Sequence, residues 1–171
     1  MTNNNYDIEI DPEVTYTFKV GGKTNPSFKM TKTISEWLVT NLSNLTDDDD
    51  NVIFNKVNTG FNENTLKTFS GKPTCDVYID NLEYSPDFDY DTPDIVNSIV
   101  LFYFKGANNA AYMKACELHD YIMQEFLTNE SFQQLSGVVR DTFITNSRLM
   151  MQPINKRWGV MGAFELSHRV F

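Results

Sequence analysis

Two groups of aspartates are the residues in this chain best suited to metal binding or acid–base chemistry. They are Asp47, Asp48, Asp49 and Asp50, which are consecutive, and Asp87, Asp89 and Asp91, which alternate with other residues. Alternating carboxylates are typical of calcium loops, but such a loop also needs glycine at its sixth position and glutamate at its twelfth. Those positions hold Thr92 and Ser98 in one group, and Val52 and Asn58 in the other. We therefore expect solvated acidic loops, with adventitious calcium binding as the alternative.

The other residues with ligand chemistry are two histidines, His119 and His168, and two cysteines, Cys75 and Cys116. Metal sites usually place such residues at short spacings, as in Cys-x-x-Cys or His-Glu-x-x-His, and no such spacing occurs in this sequence. A chain of 171 residues can bury enough surface to fold without a disulfide. We predict structural histidines and reduced, buried thiols, with a zinc site or a disulfide as the alternatives.

Nucleotide-binding and nucleophile motifs are missing or incomplete. Gly21-Gly22-Lys23-Thr24 matches only the end of a phosphate-binding loop, so it predicts a turn. Neither a Gly-x-Ser-x-Gly elbow nor a dinucleotide fingerprint occurs. We predict no catalytic residue, no cofactor and no metal. The alternative from the enzyme class is a small metal-dependent hydrolase or nuclease using the aspartates, although it lacks a base or nucleophile at a recognisable spacing.

Composition limits the classes of partner that this chain can have. It contains 14 Lys and Arg against 23 Asp and Glu, a formal net charge of -9, which opposes an extended grip on a nucleic-acid backbone. The same charge suits the wall of a conduit through which DNA slides, because repulsion prevents sticking. Thr2-Asn3-Asn4-Asn5 is neither basic nor apolar, and the apolar run at residues 99–104 is too short to cross a bilayer, so we expect neither a secretory signal nor membrane insertion.

The first 30 residues predict an extended N-terminal arm. Within it, residues 13–20 alternate between apolar and polar side chains, as a strand does. Such a strand can pair with the sheet edge of a neighbouring subunit, or it can be an edge strand of its own domain. Residues 31–171 predict a single domain.

Two stretches have the spacing of amphipathic helices. In residues 33–45 the apolar positions are Ile34, Trp37, Leu38, Leu42 and Leu45. Thr33, with Glu36 three residues later, predicts a capping box at the start of that helix. In residues 107–127 the apolar positions are Ala111, Ala115, Leu118, Ile122 and Phe126. A short helical piece ending at Gly137 follows.

Strands are predicted at residues 52–57, 72–82, 95–104, 138–151 and 157–171. The strand at residues 72–82 has one solvated face, formed by Asp76, Tyr78 and Asp80. The third is apolar on both faces, so we expect a central strand covered by helices on one side and by a second layer or another subunit on the other. The last two predict an antiparallel hairpin. Together the elements indicate an α+β fold, a mostly antiparallel sheet packed by two main helices.

Residues 60–71 form a long connection rich in Asn, Thr and Gly. Three apolar side chains interrupt it: Phe61, Leu66 and Phe69. They are candidates for burial between subunits, and packing within the domain is the alternative.

The order of elements and four segments of the C-terminal part resemble the tail terminator family of long-tailed phages. The segments are Phe102-Tyr103-Phe104-Lys105-Gly106, the Ala-rich helix from Ala107, Gly137-Val138-Val139-Arg140, and Arg157-Trp158-Gly159-Val160-Met161. The resemblance covers about the last two thirds of the chain and consists of patterns of element type. Residues 1–30 and the acidic loop at 85–94 depart from it as additions.

The resemblance implies a structural virion protein at the phage neck, assembled in the host cytoplasm. Its copies would form a homohexameric ring that caps the tail tube and ends tube polymerisation. The ring would bind the tail tube protein below and the head–tail connector or stopper protein above, and DNA would pass through its lumen without specific binding. Both aspartate groups would then face the lumen or rim, with ordinary solvated loops as the alternative. Another neck component, such as a head-completion or tail-completion protein, is the nearest rival.

Overall fold

Two helices and a five-stranded sheet make up most of the computed structural model, which describes residues 19–20, 23–24, 26–60, 72–85, 92–106, 108–154 and 157–171. The elements are β1 (Lys19–Val20), β2 (Lys23–Thr24), α1 (Pro26–Ser43), β3 (Lys56–Thr59), β4 (Thr74–Glu83), β5 (Ile95–Lys105), α2 (Asn109–Thr128), α3 (Glu130–Gln133), a 3₁₀ turn (Leu135–Gly137), β6 (Asp141–Ile154) and β7 (Arg157–Arg169). β1 and β2 pair in antiparallel fashion. Gly21 and Gly22, where the sequence predicts a turn, lie outside the described residues.

The main sheet has the strand order β3-β4-β5-β7-β6. β3 and β4 are parallel, and every other neighbouring pair is antiparallel. The predicted α+β fold, with a mostly antiparallel sheet and two main helices, is therefore confirmed, and β5 is the central strand. β6 and β7 pair in antiparallel register from Asp141 with Arg169 to Ile154 with Arg157, as the predicted hairpin requires.

Helix α1 begins earlier than the apolar spacing predicts. Its predicted stripe is confirmed, since Ile34, Leu38 and Leu42 are fully buried. The predicted capping box is wrong: Thr33 lies inside the helix, and its hydroxyl donates to the carbonyl of Lys29 four residues back. Pro26 occupies the first helical position, where its fixed φ and missing N–H cost least. The helix therefore starts within the segment that the sequence predicts as arm.

Helix α2 agrees closely with its predicted stripe. Ala115, Leu118, Ile122 and Phe126 are its buried residues. The carboxamide of Asn108 accepts a hydrogen bond from the backbone N–H of Ala111 at 2.8 Å, so Asn108 is the N-cap. Beyond the helix, Phe132 packs edge-on against Phe126 and joins the same core.

Two strand predictions need correction. The strand predicted at residues 52–57 begins only at Lys56, because Phe54 turns into the core and Val52 instead bridges Thr46. In β4 the predicted solvated face holds only in part: Asp80 is exposed, but Asp76 is fully buried. A buried carboxylate needs hydrogen bonds, and the side chain of Asn58 donates one to Asp76 at 2.7 Å.

The sheet separates two apolar clusters. The larger lies between the sheet and the helices and includes Val100, Phe102 and Phe164. The smaller lies on the opposite face and is formed by residues of β4, β5 and β7: Tyr78, Ile99, Leu101, Tyr103, Met161 and Ala163. β5 thus contributes apolar side chains to both faces, as predicted. Bulges interrupt β4 between Ile79 and Asn81, and β6 between Ile144 and Asn146.

The ring of Phe102 lies directly over Gly162, its cross-strand partner on β7. A Cβ built on Gly162 would meet that ring at 2.0 Å, so no larger residue fits unless the ring moves. Phe102 is also fully buried and packs edge-on against Phe104 and at a tilt against Phe164. Glycine at position 162 is therefore a packing requirement of the core.

We expect Gly162→Ala to destabilise the fold by about 1–3 kcal/mol, the usual range for overpacking a core. The measurement is the urea-unfolding midpoint by circular dichroism. Phe102→Leu makes room for the added methyl. The double variant should therefore lose less unfolding free energy than the sum of the losses in the two single variants. Strict additivity of the two losses would contradict the contact.

Candidate functional site

The acidic loop Asp47, Asp48, Asp49 and Asp50 lies between α1 and β3 and is closed by the Thr46–Val52 bridge. Asp47 organises it: one carboxylate oxygen accepts backbone hydrogen bonds from Asn51 at 2.8 Å and from Asp49 at 3.1 Å. The hydrogen bond from the Asn51 backbone is the largest of the effects that hold the pKa of Asp47 below its ordinary value. Asp50 has a left-handed backbone with φ of 61°. All four aspartates are exposed, and the carboxylate of Asp47 holds the turn in shape.

An open groove of about 660 Å³ runs between this loop and α2. It is lined by both signs of charge, with Asp47 and Asp48 from the loop, Glu117 from α2, and two lysines, Lys72 and Lys114. The Tyr121 hydroxyl donates to the carbonyl of Thr46 at 3.3 Å and ties α2 to the loop. Mixed charge and wide opening give this groove no preference for one class of ligand.

The remaining sequence candidates lie outside the described residues. They are the second acidic group, Asp87, Asp89 and Asp91, and the interface candidates Phe61, Leu66 and Phe69. Most of the predicted arm, residues 1–18, lies outside them as well. At the ends of the second acidic loop, the carboxylate of Asp94 accepts a hydrogen bond from the backbone of Ser85, and the Asp94 N–H donates to Glu83 at 2.9 Å.

Three exposed apolar side chains lie on or beside β6: Leu127 at the end of α2, and Phe143 and Met151 eight residues apart on the strand. We call them the edge patch; they are 53%, 46% and 44% exposed. Among the described strands β6 pairs only with β7, so the backbone groups of its outer edge are available for pairing. Leu127 and Phe143 also line a groove of about 370 Å³ beside this edge. An unpaired strand edge next to exposed apolar groups is typical of a protein–protein contact.

Sequence reasoning missed the edge patch. Phe143 and Met151 lie on a predicted strand, but nothing local to that strand tells that it ends the sheet. β7, the last strand of the sequence, inserts between β5 and β6 and leaves β6 outside. Leu127 is a sequence signal for an exposed apolar surface near this edge. It follows Phe126, the last buried position of the α2 stripe, and points away from that stripe.

His168 is a fully buried histidine in a polar chain across three strands. One ring nitrogen lies 2.7 Å from the hydroxyl of Ser98, and the other lies 3.0 Å from the hydroxyl of Thr142. A neutral imidazole has one donor and one acceptor, and each hydroxyl can supply the complement, so both nitrogens are satisfied. Burial lowers the pKa of His168 to about 3. Its burial and its two hydrogen bonds are typical of a structural histidine.

His119 and the cysteines complete the set of candidate ligands. The His119 ring stacks on Phe164 at 4.5 Å between centroids, and burial lowers its pKa. Both cysteines are free; Cys75 is buried, where desolvation and then Asp76 raise the thiol pKa, and Cys116 is half-buried. In the described ranges no three His, Cys, Asp or Glu side chains gather closely enough to hold a metal ion.

No helix within the part of the chain that the structure describes is long and apolar enough to cross a membrane. Searches with protein-family models and against curated protein sequences found no match to this chain.

Acid should destabilise the fold through His168. The unfolded chain binds a proton on this imidazole below about pH 6.5, whereas the folded chain binds it only near pH 3, so stability falls as the pH drops through that window. We expect a loss of about 1 kcal/mol between pH 6 and pH 5 from this group alone. The measurement is the urea-unfolding free energy across that range.

His168→Gln should remove this part of the pH dependence, because glutamine does not titrate. His119→Gln is the matched control: its ring is only half-buried, so most of the slope should remain. If His168→Gln keeps the full slope of the unsubstituted protein, the pKa assigned to the buried imidazole is wrong.

Proposed function

We propose that this chain is a structural virion protein, a subunit of a six-membered ring that caps a phage tail tube, ends its polymerisation and joins it to the head–tail connector. DNA passes through the lumen of the ring, and the subunit is not an enzyme. The observation that carries the proposal is the edge patch, because an open strand edge beside exposed apolar groups is suited to contact with another copy.

The position of the two sheet edges supports a ring. β3 lies at one end of the strand order and β6 at the other. A contact between different edges of identical copies is head-to-tail, and such contacts close into rings when the rotation between copies allows it. A two-fold dimer would instead need one edge to meet itself. A ring is therefore the closed assembly in which every subunit uses both edges.

Charge supports the role of the lumen. The chain has a formal net charge of -9, and Asp48, Asp49 and Asp50 are exposed at the end of a turn that Asp47 holds in shape. A negatively charged wall repels phosphates, so DNA can slide without being retained. We place this loop at the lumen or rim of the ring.

Negative-stain imaging combined with native mass measurement of the purified full-length protein tests the ring directly. We expect six-membered rings with an open centre, either free in solution or at the ends of added tail tubes. Binding to tubes, as opposed to connectors alone, separates a terminator from another neck component. A stable isolated dimer, or a monomer that stays monomeric in the presence of tubes, would overturn the proposal.

The edge patch should be needed for assembly but not for folding. Replacing Phe143 and Met151 with serine removes apolar contact area at the β6 edge, so we expect ring formation to drop sharply while the melting temperature changes little. Val52→Ser is the matched control, since Val52 is 43% exposed and lies in the acidic loop, away from β6. Equal loss of rings in both variants would rule out a specific contact at this edge.

A further inference from the structure

The N-terminal arm has a longer alternation than the strand predicted at residues 13–20. Its even-numbered positions are Tyr6, Ile8, Ile10, Pro12, Val14, Tyr16, Phe18 and Val20. Its odd-numbered positions begin with Asp7, Glu9, Asp11 and Glu13. Side chains of a strand alternate between two faces, so residues 6–20 predict a strand with one apolar face and one face that is acidic over its first half.

The β6 edge offers a matching pair of faces. On the side of the helices, the groove of about 370 Å³ is lined by Phe126, Leu127 and Ile144. On the opposite side lie two arginines, together with Asp141 and Glu165. Arg148, whose strand partner is Ala163 of the smaller cluster, ion-pairs with Glu165 at 3.4 Å and remains half exposed. Arg169 lies on the same side, with its guanidinium 5.0 Å from the centre of the Phe143 ring.

The distribution of charge along the chain selects the arm as the occupant of this edge. Residues 1–18 contain four acidic and no basic side chains. Residues 138–171, which include β6 and β7, contain five basic and two acidic side chains, although the whole chain is acidic. Opposite charges guide two segments together and penalise wrong pairings. The acidic arm and the hairpin, whose sequence has a net positive charge, are therefore complementary.

The origin of the arm favours a contact between two copies. Helix α1, which follows the arm, begins beside β3 and β4: Phe28 lines a groove together with Thr59, Gly60 and Ile79. β6 lies at the other edge of the sheet, four strands away. At about 4.8 Å per strand, an arm would have to cross roughly 19 Å of its own sheet to reach its own β6. A second copy whose β6 faces the β3 edge receives the arm without that crossing.

We infer that residues 6–18 of one copy add as a strand to the β6 edge of the next, with their apolar side chains in the groove beside Leu127 and their carboxylates facing Arg148 and Arg169. This inference rests on the proposed ring and names the contact that links its subunits. Backbone pairing supplies affinity and the alternating side chains set the register. Because the arm leaves from one edge and docks on the other, the link is head-to-tail.

Photo-crosslinking of the full-length protein tests the inference. Benzoylphenylalanine is placed at position 127, on the rim of the groove, and isotopically light and heavy copies are mixed at about 1 mM, where even contacts of millimolar affinity are half formed. Peptides are identified by mass spectrometry after irradiation. We expect crosslinks from position 127 to residues 6–20, with mixed light–heavy pairs in statistical proportion. The same probe at position 52 should not label the arm.

The outcomes separate this inference from the ring itself. Crosslinks to the arm only within single copies, or none to the arm in preparations where imaging shows rings, would overturn the arm exchange and leave the ring standing. Mixed crosslinks to the arm without closed rings in imaging would support the arm exchange and overturn the proposed ring.

A charge variant provides an independent measure. Arg148→Glu should lower the yield of mixed crosslinks several-fold at low salt, since it places a carboxylate opposite the acidic arm. Lys114→Glu is the control, because it makes the same charge change at an exposed position on α2, away from the β6 edge. An equal yield in the Arg148 variant and the unsubstituted protein would contradict the proposed orientation of the arm.

Discussion

Pairing between β5 and β7 is the interaction on which the rest of the structure depends. Each residue from Ile95 to Lys105 has a partner between Arg169 and Gly159, with no break in register. Because β7 follows β6 in the chain but lies between β5 and β6, β6 joins the sheet only through β7. Both helices pack on one face of this sheet, where the ring of Phe102 lies over Gly162.

Much of the fold could be predicted from the sequence, because the period of apolar residues reports directly which face of an element is buried. The stripes of α1 and α2 and the apolar faces of β5 are of this kind. The first two turns of α1 have no such stripe, and only Pro26 indicates their start. Burial of Asp76 depends on Asn58, eighteen residues earlier and on the neighbouring strand, a pairing that no local pattern contains.

The candidate site could be predicted less well, for a topological reason. Asp47 to Asp50 are visible in the sequence as a charged run, but their arrangement depends on hydrogen bonds that only the folded turn supplies. The edge patch depends on strand order: β6 would be an inner strand if β7 had been added outside it. The same side chains would then lie in a core, and alternation along β6 is equally compatible with both arrangements.

The two bulges have a consequence for the shape of the sheet. They interrupt β4 and β6 on either side of one row of paired residues, Ile79, Ser98, Leu166 and Ile144. Bulges bend their strands and increase local twist, so the sheet is creased along that row. On one side of the crease, the face away from the helices carries amides and carboxylates, including Asn81, Glu83 and Asn97. On the other side of the crease the same face carries Leu101 and Tyr103. On this face the sheet therefore has a hydrophilic half and a hydrophobic half that are inclined to each other. Each half can contact a different neighbour.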